Sequence, residues 1–174
     1  EHNERSKAVQ IAERMLAENI DVAVTTDAGT PCISDPGSVL VREATERGIP
    51  AVAVSGPTAM ASALSVSGMD ISEFTFYGFL PRQKNELREK LTDMARHSKI
   101  AVVHESPHRV IELLQQVQAV LPHTFVSASC DLTKKFEQTL RGPVEQVLRL
   151  LEENPKADKG EYCLCLRWAD EDIP

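Results

Sequence analysis

The 174-residue chain has no excess of positive charge. Nineteen lysines and arginines face 26 aspartates and glutamates, giving a formal net charge of −7 and a pI near 5.3. A broad nonspecific nucleic-acid surface normally shows as a basic excess, so the charge counts against that class but not against a local basic patch. No apolar run reaches membrane-span length, and the opening residues do not read as a signal peptide. The four cysteines, Cys32, Cys130, Cys163 and Cys165, lack the spacing of a disulfide framework. Cys163 and Cys165 read either as buried thiols or as half of a metal site with no second half. The thiol reading is preferred, and with it a reducing, cytoplasmic setting and no metal. There is no G-x-G-x-x-G dinucleotide fingerprint, no G-x-x-x-x-G-K-[ST] phosphate loop and no H-E-x-x-H or paired C-x-x-C. Ser106 lacks the flanking glycines of a nucleophile elbow. Internal repeats and low-complexity tracts are also missing.

What is present is a core-forming composition, 42% hydrophobic, and one long loop. Asp27-Ala28-Gly29-Thr30-Pro31-Cys32-Ile33-Ser34-Asp35-Pro36-Gly37 lies between an apolar run at 22–26, which predicts a buried strand, and a helix starting near Ser38. A connector needs fewer residues than this. Loops of this kind line the crevice at the carboxyl ends of strands in open α/β sheets.

Along the chain, apolar spacing predicts a helix over 4–18, with Ala8, Ile11, Ala12, Met15 and Leu16 on one stripe and Asn3 as its cap. Further helices are expected over 38–47, from 59 to 67, over 85–96, from Pro107 onward and from Gly142-Pro143 onward. Strands are expected at 22–26, 50–54, 74–77, 99–104, 124–129, 136–140 and 162–168, the last preceded by a flexible linker over 154–159. This alternation predicts an α/β protein with largely parallel sheets. A boundary near 69–73 divides it into residues 1–70 and 71–174. Two strands make too small a sheet for the first part, which reads as a domain lacking its opening strands.

Three loops at expected strand ends have similar composition, each with a proline and small or hydroxyl residues. They are the 27–31 stretch, Ser55-Gly56-Pro57-Thr58, and His104-Glu105-Ser106-Pro107-His108-Arg109. Such backbone-rich, small-residue clefts suit a nucleoside. These stretches, with Ile33-Ser34-Asp35-Pro36-Gly37, Gly56-Pro57-Thr58-Ala59 and Ala63-Leu64-Ser65-Val66-Ser67-Gly68, resemble the tetrapyrrole methylase superfamily. Gly78-Phe79-Leu80-Pro81-Arg82, Glu105-Ser106-Pro107-His108-Arg109, Leu132-Thr133-Lys134 and Arg141-Gly142 resemble its ribosomal RNA small subunit methyltransferase I branch. The match runs in order over nearly the whole chain.

The resemblance implies two α/β domains, a homodimer, and S-adenosylmethionine-dependent methylation of a cytidine ribose 2′-hydroxyl in small-subunit ribosomal RNA. By motif it implies cofactor contacts at Asp27, Ala28, Gly29, Thr30, Pro57, Thr58, Ala59, His104, Glu105 and the Gly160-Glu161 turn. The family opens with a strand and a glycine-containing loop that this chain does not contain. Ser55, His104 and Cys130-Asp131 stand where the branch usually has Pro, Tyr and Arg-Glu.

A ribose hydroxyl is a poor nucleophile, which calls for a general base. Glu105, Asp35 and His108 are the candidates. Each has a structural alternative: Glu105 as a helix N-terminal acid, Asp35 as a cap for the Ser38 helix, and His108 as a solvated first-turn residue. Arg82, Lys84, Arg88, Lys134 and Lys135 are the candidate RNA-facing cations, and Arg109 serves either RNA phosphate or an internal ion pair. Two rival readings stand beside this one. One is a relative that methylates a corrin or porphyrin precursor, compatible with the 5% aromatic content and the acidic balance. The other is a dimerising piece without activity.

Overall fold

The computed structural model describes residues 2–173, with side chains from Glu4 onward. The chain divides into two compact units, Glu1–Thr58 and Ala59–Pro174. The sequence pattern placed the change later, near 69–73. The difference is the helix that follows Thr58, whose apolar side packs on the second unit's sheet.

In the first unit, α1 (His2–Glu18) lies against α2 (Ser38–Glu46). The predicted stripe is used in part: Ala8 and Ala12 are buried, while Leu16 is 56% exposed. The expected Asn3 cap falls on a side chain outside the described residues. Glu43 is buried between the helices and is held by Arg47 Nη1 at 2.6 Å, with Arg5 Nε at 3.9 Å. α2 ends as predicted at Gly48, whose φ of 77° turns the chain so that the Ile49 amide returns to the Ala44 carbonyl at 3.0 Å.

The strands expected at 22–26 and 50–54 are not formed. Val52 and Val54 are 86% and 91% exposed, the reverse of burial. Apolar content makes a segment able to join a sheet, but a strand exists only when a neighbouring backbone takes up its N–H and C=O groups. Among the described residues neither segment has one.

The second unit is a five-stranded sheet with helices on both faces. Its elements are α3 (Ala59–Ser65), β1 (Thr75–Phe79), α4 (Lys84–His97), β2 (Ile100–Glu105), α5 (Val110–Val120), β3 (Phe125–Cys130), β4 (Gln138–Pro143), α6 (Val144–Glu152) and β5 (Tyr162–Arg167). The spatial order is β1-β2-β5-β3-β4. Among these strands only β1 and β2 pair in parallel, so the expected largely parallel sheet is corrected to a mixed one. β3 returns through a short loop into β4, and β5 inserts antiparallel between β2 and β3. Strand–helix alternation cannot distinguish a right-handed crossover from such an insertion, because both bury the same apolar runs.

Alternate residues supply the two faces. Ala101, Val103, Val126, Ala128, Leu164 and Leu166 face the main core with α4, α5 and α6. Ile100, Val102, Cys163 and Cys165 pack with Ala63 and Leu64 of α3. All four cysteines are free thiols, and burial pushes those of Cys163 and Cys165 up to about 12. No helix among the described residues is long and apolar enough to cross a membrane.

The Asp170–Asp172 turn after β5 is fastened to the loop before β3. Asp172 accepts from the His123 amide at 2.7 Å and faces His123 Nδ1 at 2.8 Å, with Glu171 at 3.4 Å. The Asp172 contact raises the His123 pKa above its ordinary value, followed by the Glu171 charge. A raised histidine pKa means that the clip contributes fully below about pH 6.5 and is lost as pH rises through the folded-state value. Hydrogen exchange at the His123 amide is expected to speed up relative to the core across that window. Asp172→Asn should weaken the pH dependence, leaving the part due to Glu171.

Candidate functional site

The expected site residues fall in both units. In the first unit the long loop is held in an unusual backbone. Gly29, Cys32, Ser34 and Gly37 all have positive φ, at 77°, 71°, 59° and 128°. Cys32 and Ser34 bear a steric cost there that ordinary connectors avoid, and such strain concentrates at ligand-binding loops. Gly37 is closely packed: a Cβ would lie 2.9 Å from Cys32 Sγ and 3.0 Å from Val24 Cγ1.

Thr30 Oγ1 donates to the Pro57 carbonyl at 3.0 Å. This bond joins the 27–31 loop to the 55–58 loop, two stretches that the sequence pattern assigns to one site. Gly29 stands at the junction, and a Cβ on it would reach within 3.7 Å of the same carbonyl. Asp27, Ala28 and Gly29 are exposed, and Thr30 and Thr58 are half-buried. The surface they form is mostly backbone and small side chains around one exposed carboxylate. Its character fits a nucleoside, whose base edges and hydroxyls are read by N–H and C=O groups and whose ring needs close approach.

Asp35 does not cap α2. The helix N-cap is Gly37, and no side chain bonds there. The Gly37 amide lies 3.4 Å from Glu4 Oε1 instead. Asp35 remains half-buried within the loop.

In the second unit the candidate residues cluster at the carboxyl end of β2. Glu105 is the last residue of the strand and only 3% exposed. Its Oε1 accepts the Ser106 amide at 2.8 Å and lies 3.7 Å from Arg109 Nη1. Its Oε2 is buried with no hydrogen-bond partner among the described residues. Burial therefore pushes the Glu105 pKa up, against the opposing pull of the Ser106 N–H and then of the Arg109 and Arg82 charges. Glu105 is not the first-turn acid of α5, which starts at Val110 beyond a turn closed by the Ser106 carbonyl.

Arg109 also donates to the Pro81 carbonyl at 3.1 Å, tying the loop after β1 to the end of β2. Its described partners are internal. His104 sits edge-on between Phe76 and Phe79, with ring centroids 5.1 and 5.8 Å away. Sequence pattern puts Gly78 and Phe79 in a loop. In the structure they extend β1 through an irregular step at Gly78, and this brings Phe79 beside His104.

His108, Arg82 and Lys84 are exposed, Lys84 as the first residue of α4. Arg88 is engaged by Gln116 Oε1 at 2.8 Å. Ala59 opens α3. Gly160 packs against Asp131, and Glu161 pairs with Lys134 Nζ at 2.7 Å. No group of three or more His, Cys, Asp or Glu among the described residues is arranged to hold a metal ion.

Residues 1–148 match the family model of the tetrapyrrole (corrin/porphyrin) methylases. A protein of Vibrio cholerae named ribosomal RNA small subunit methyltransferase I is 37% identical over 165 residues, covering 94% of this chain and 57% of its own length. This chain thus spans little more than half of that relative. Among solved structures, the methyltransferase CobJ superposes with a TM-score of 0.67 at 17% identity, over 95% of this chain and 72% of its own. Uroporphyrin-III C-methyl transferase from Thermus thermophilus, complexed with S-adenyl homocysteine, gives a TM-score of 0.59 at 15% identity, over 94% and 73%. At those identities the two structures speak to fold alone.

Proposed function

The chain belongs to the tetrapyrrole methylase family, and from that premise we propose that it forms part of an S-adenosylmethionine-dependent methyltransferase acting on small-subunit ribosomal RNA. The acceptor in this reading is a cytidine ribose 2′-hydroxyl, and the working assembly is a homodimer. The observation that carries the choice of RNA is the 37% identity, over nearly all of this chain, to a relative named for that substrate. The corrin and porphyrin alternative draws on structural neighbours at 15% and 17% identity, which bear on fold only.

The residues present fit the cofactor. Asp27, Ala28, Gly29 and Thr30, locked to Pro57, would hold its nucleoside part, with Thr58 and Ala59 continuing that strip. When bound, the cofactor supplies a methyl group on a sulfonium, already a good leaving group.

The work left to the protein is positioning and removal of one proton. Glu105 is the group chosen for the second task. Its Oε2 is buried with no hydrogen-bond partner among the described residues, which leaves it acceptor capacity for a substrate hydroxyl. Its raised pKa makes it a stronger base than an exposed glutamate. In this role Glu105 Oε2 would accept the proton that the acceptor hydroxyl gives up on methylation. Arg109 holds the carboxylate from its other oxygen.

The test is transfer of labelled methyl from S-adenosylmethionine to small-subunit ribosomal RNA by the full-length protein, followed by digestion to nucleosides. Label in 2′-O-methylcytidine is expected. Label only in a tetrapyrrole, with none in RNA, would overturn the proposal.

A further inference from the structure

Sequence pattern assigns Phe136 to the start of a strand. The structure places it two residues before β4, in the loop over 131–137, with 71% of its surface exposed. Two lysines approach its ring from different parts of the chain. Lys135 Nζ is 5.5 Å from the ring centroid and Lys156 Nζ is 5.8 Å away. Neither has a carboxylate partner among the described residues.

Both loops are built rather than slack. Asp131 and Thr133 have φ of 52° and 68°. The Thr133 amide bonds Glu137 Oε2 at 2.6 Å, and the Lys134 amide bonds the Asp131 carbonyl at 2.8 Å. The expected flexible linker over 154–159 is a turn. The Lys156 amide bonds Asn154 Oδ1 at 3.0 Å, Ala157 is buried, and Tyr162 Oη donates to the Ala157 carbonyl at 3.1 Å.

Most acids here are already engaged. Glu137 takes the Thr133 amide, and Lys134 sits against Glu161 and Asp131. Lys134 is therefore a brace for the loop, leaving Lys135 and Lys156 as the cations directed at the aromatic surface. Asp158 is the remaining acid, without an ion-pair partner among the described residues.

An exposed aromatic ring beside two ammonium groups without a carboxylate partner among the described residues, on braced loops, matches what single-stranded nucleic acid requires. The ring takes the face of an unstacked base, and the cations take the flanking phosphates. We propose that Phe136, Lys135 and Lys156 form a stacking site for an unpaired nucleotide of the RNA substrate, outside the residues assigned to methyl transfer. This rests on the reading of the substrate as RNA. An acidic chain overall binds RNA through local patches of this kind rather than through its general field. The site is sequence-tolerant, because every base offers a π-face.

The experiment is fluorescence anisotropy of the purified protein with a labelled single-stranded oligouridylate about ten nucleotides long. It is run with Phe136→Ala, Phe136→Trp and the Lys135→Ala/Lys156→Ala pair. Phe136→Ala is expected to weaken binding by about tenfold and leave the salt slope unchanged. Phe136→Trp should retain the wild-type affinity. The double lysine change should flatten the slope of log K against log salt by about 1.4, the value for two phosphates on a single strand. Because Phe136 is mostly exposed, folding of each variant should be unaffected, and thermal melting checks this.

Wild-type binding with no loss in Phe136→Ala would overturn the stacking site while leaving the RNA reading intact. Displacement of the oligouridylate by polyglutamate as readily as by unlabelled RNA would assign the patch to acidic protein and overturn it as well. No binding of single-stranded or ribosomal RNA by the wild type at low salt would overturn both.

Discussion

Gly29→Val is expected to reduce binding of S-adenosylhomocysteine by at least about a hundredfold. Gly29 has a φ of 77°, a region that a β-branched residue avoids. The new Cβ would also stand 3.7 Å from the Pro57 carbonyl, and valine's two γ-methyls would lie over the surface where backbone is now exposed. Strain at such a position costs about 1–3 kcal/mol, and steric exclusion of the nucleoside adds to it. The variant should nonetheless fold, because residues 27–29 are exposed and no described core residue depends on them. Calorimetry is the check. Unchanged affinity would remove this loop from the site.

Glu105→Gln is expected to slow methyl transfer by about 10²–10⁴ while changing cofactor affinity by less than about threefold. The split matters, since equal losses in both would make Glu105 a ligand contact instead of a base. The pH dependence gives a second readout. A base must be unprotonated, and burial raises the Glu105 pKa. The acid limb of the rate profile should therefore lie above the range of an exposed glutamate and disappear in the glutamine variant. Stability carries the opposite sign. A raised carboxyl pKa means the folded state holds the proton more tightly than the unfolded state. Wild-type stability should fall relative to Glu105→Gln as pH rises through the folded value, and converge with it at acid pH.

The parts of this structure that sequence made legible are those set by local physics. Helix α4 shows Leu87, Leu91 and Met94 on one face, and all three are buried. The apolar runs of β2 and β5 become central strands. Gly48 ends α2 and Gly68 turns the chain after α3, both with left-handed backbone.

What was not legible depends on partners distant in sequence. Residues 22–26 and 50–54 have strand composition, but whether they pair is decided by another backbone. The antiparallel entry of β5 leaves no trace in periodicity, because its residues alternate identically in either direction. For the candidate site, the motifs pointed to the 27–31, 55–58 and 104–109 loops. They did not show that Thr30 joins the first two, nor that Arg109 is occupied by Pro81 and Glu105. Phe136 is hidden in the sequence because its apolar character suggests a strand, although its neighbours Lys134 and Lys135 read as RNA-facing. The sequence signal was the aromatic directly after two lysines. Only the fold adds Lys156.

The most direct measurement is calorimetric titration of S-adenosylhomocysteine into this 174-residue chain. A single site of about micromolar strength, lost in Gly29→Val, is the predicted result. No heat from a folded wild-type chain would contradict the claim that the loops at 27–31 and 55–58 form the nucleoside-binding surface.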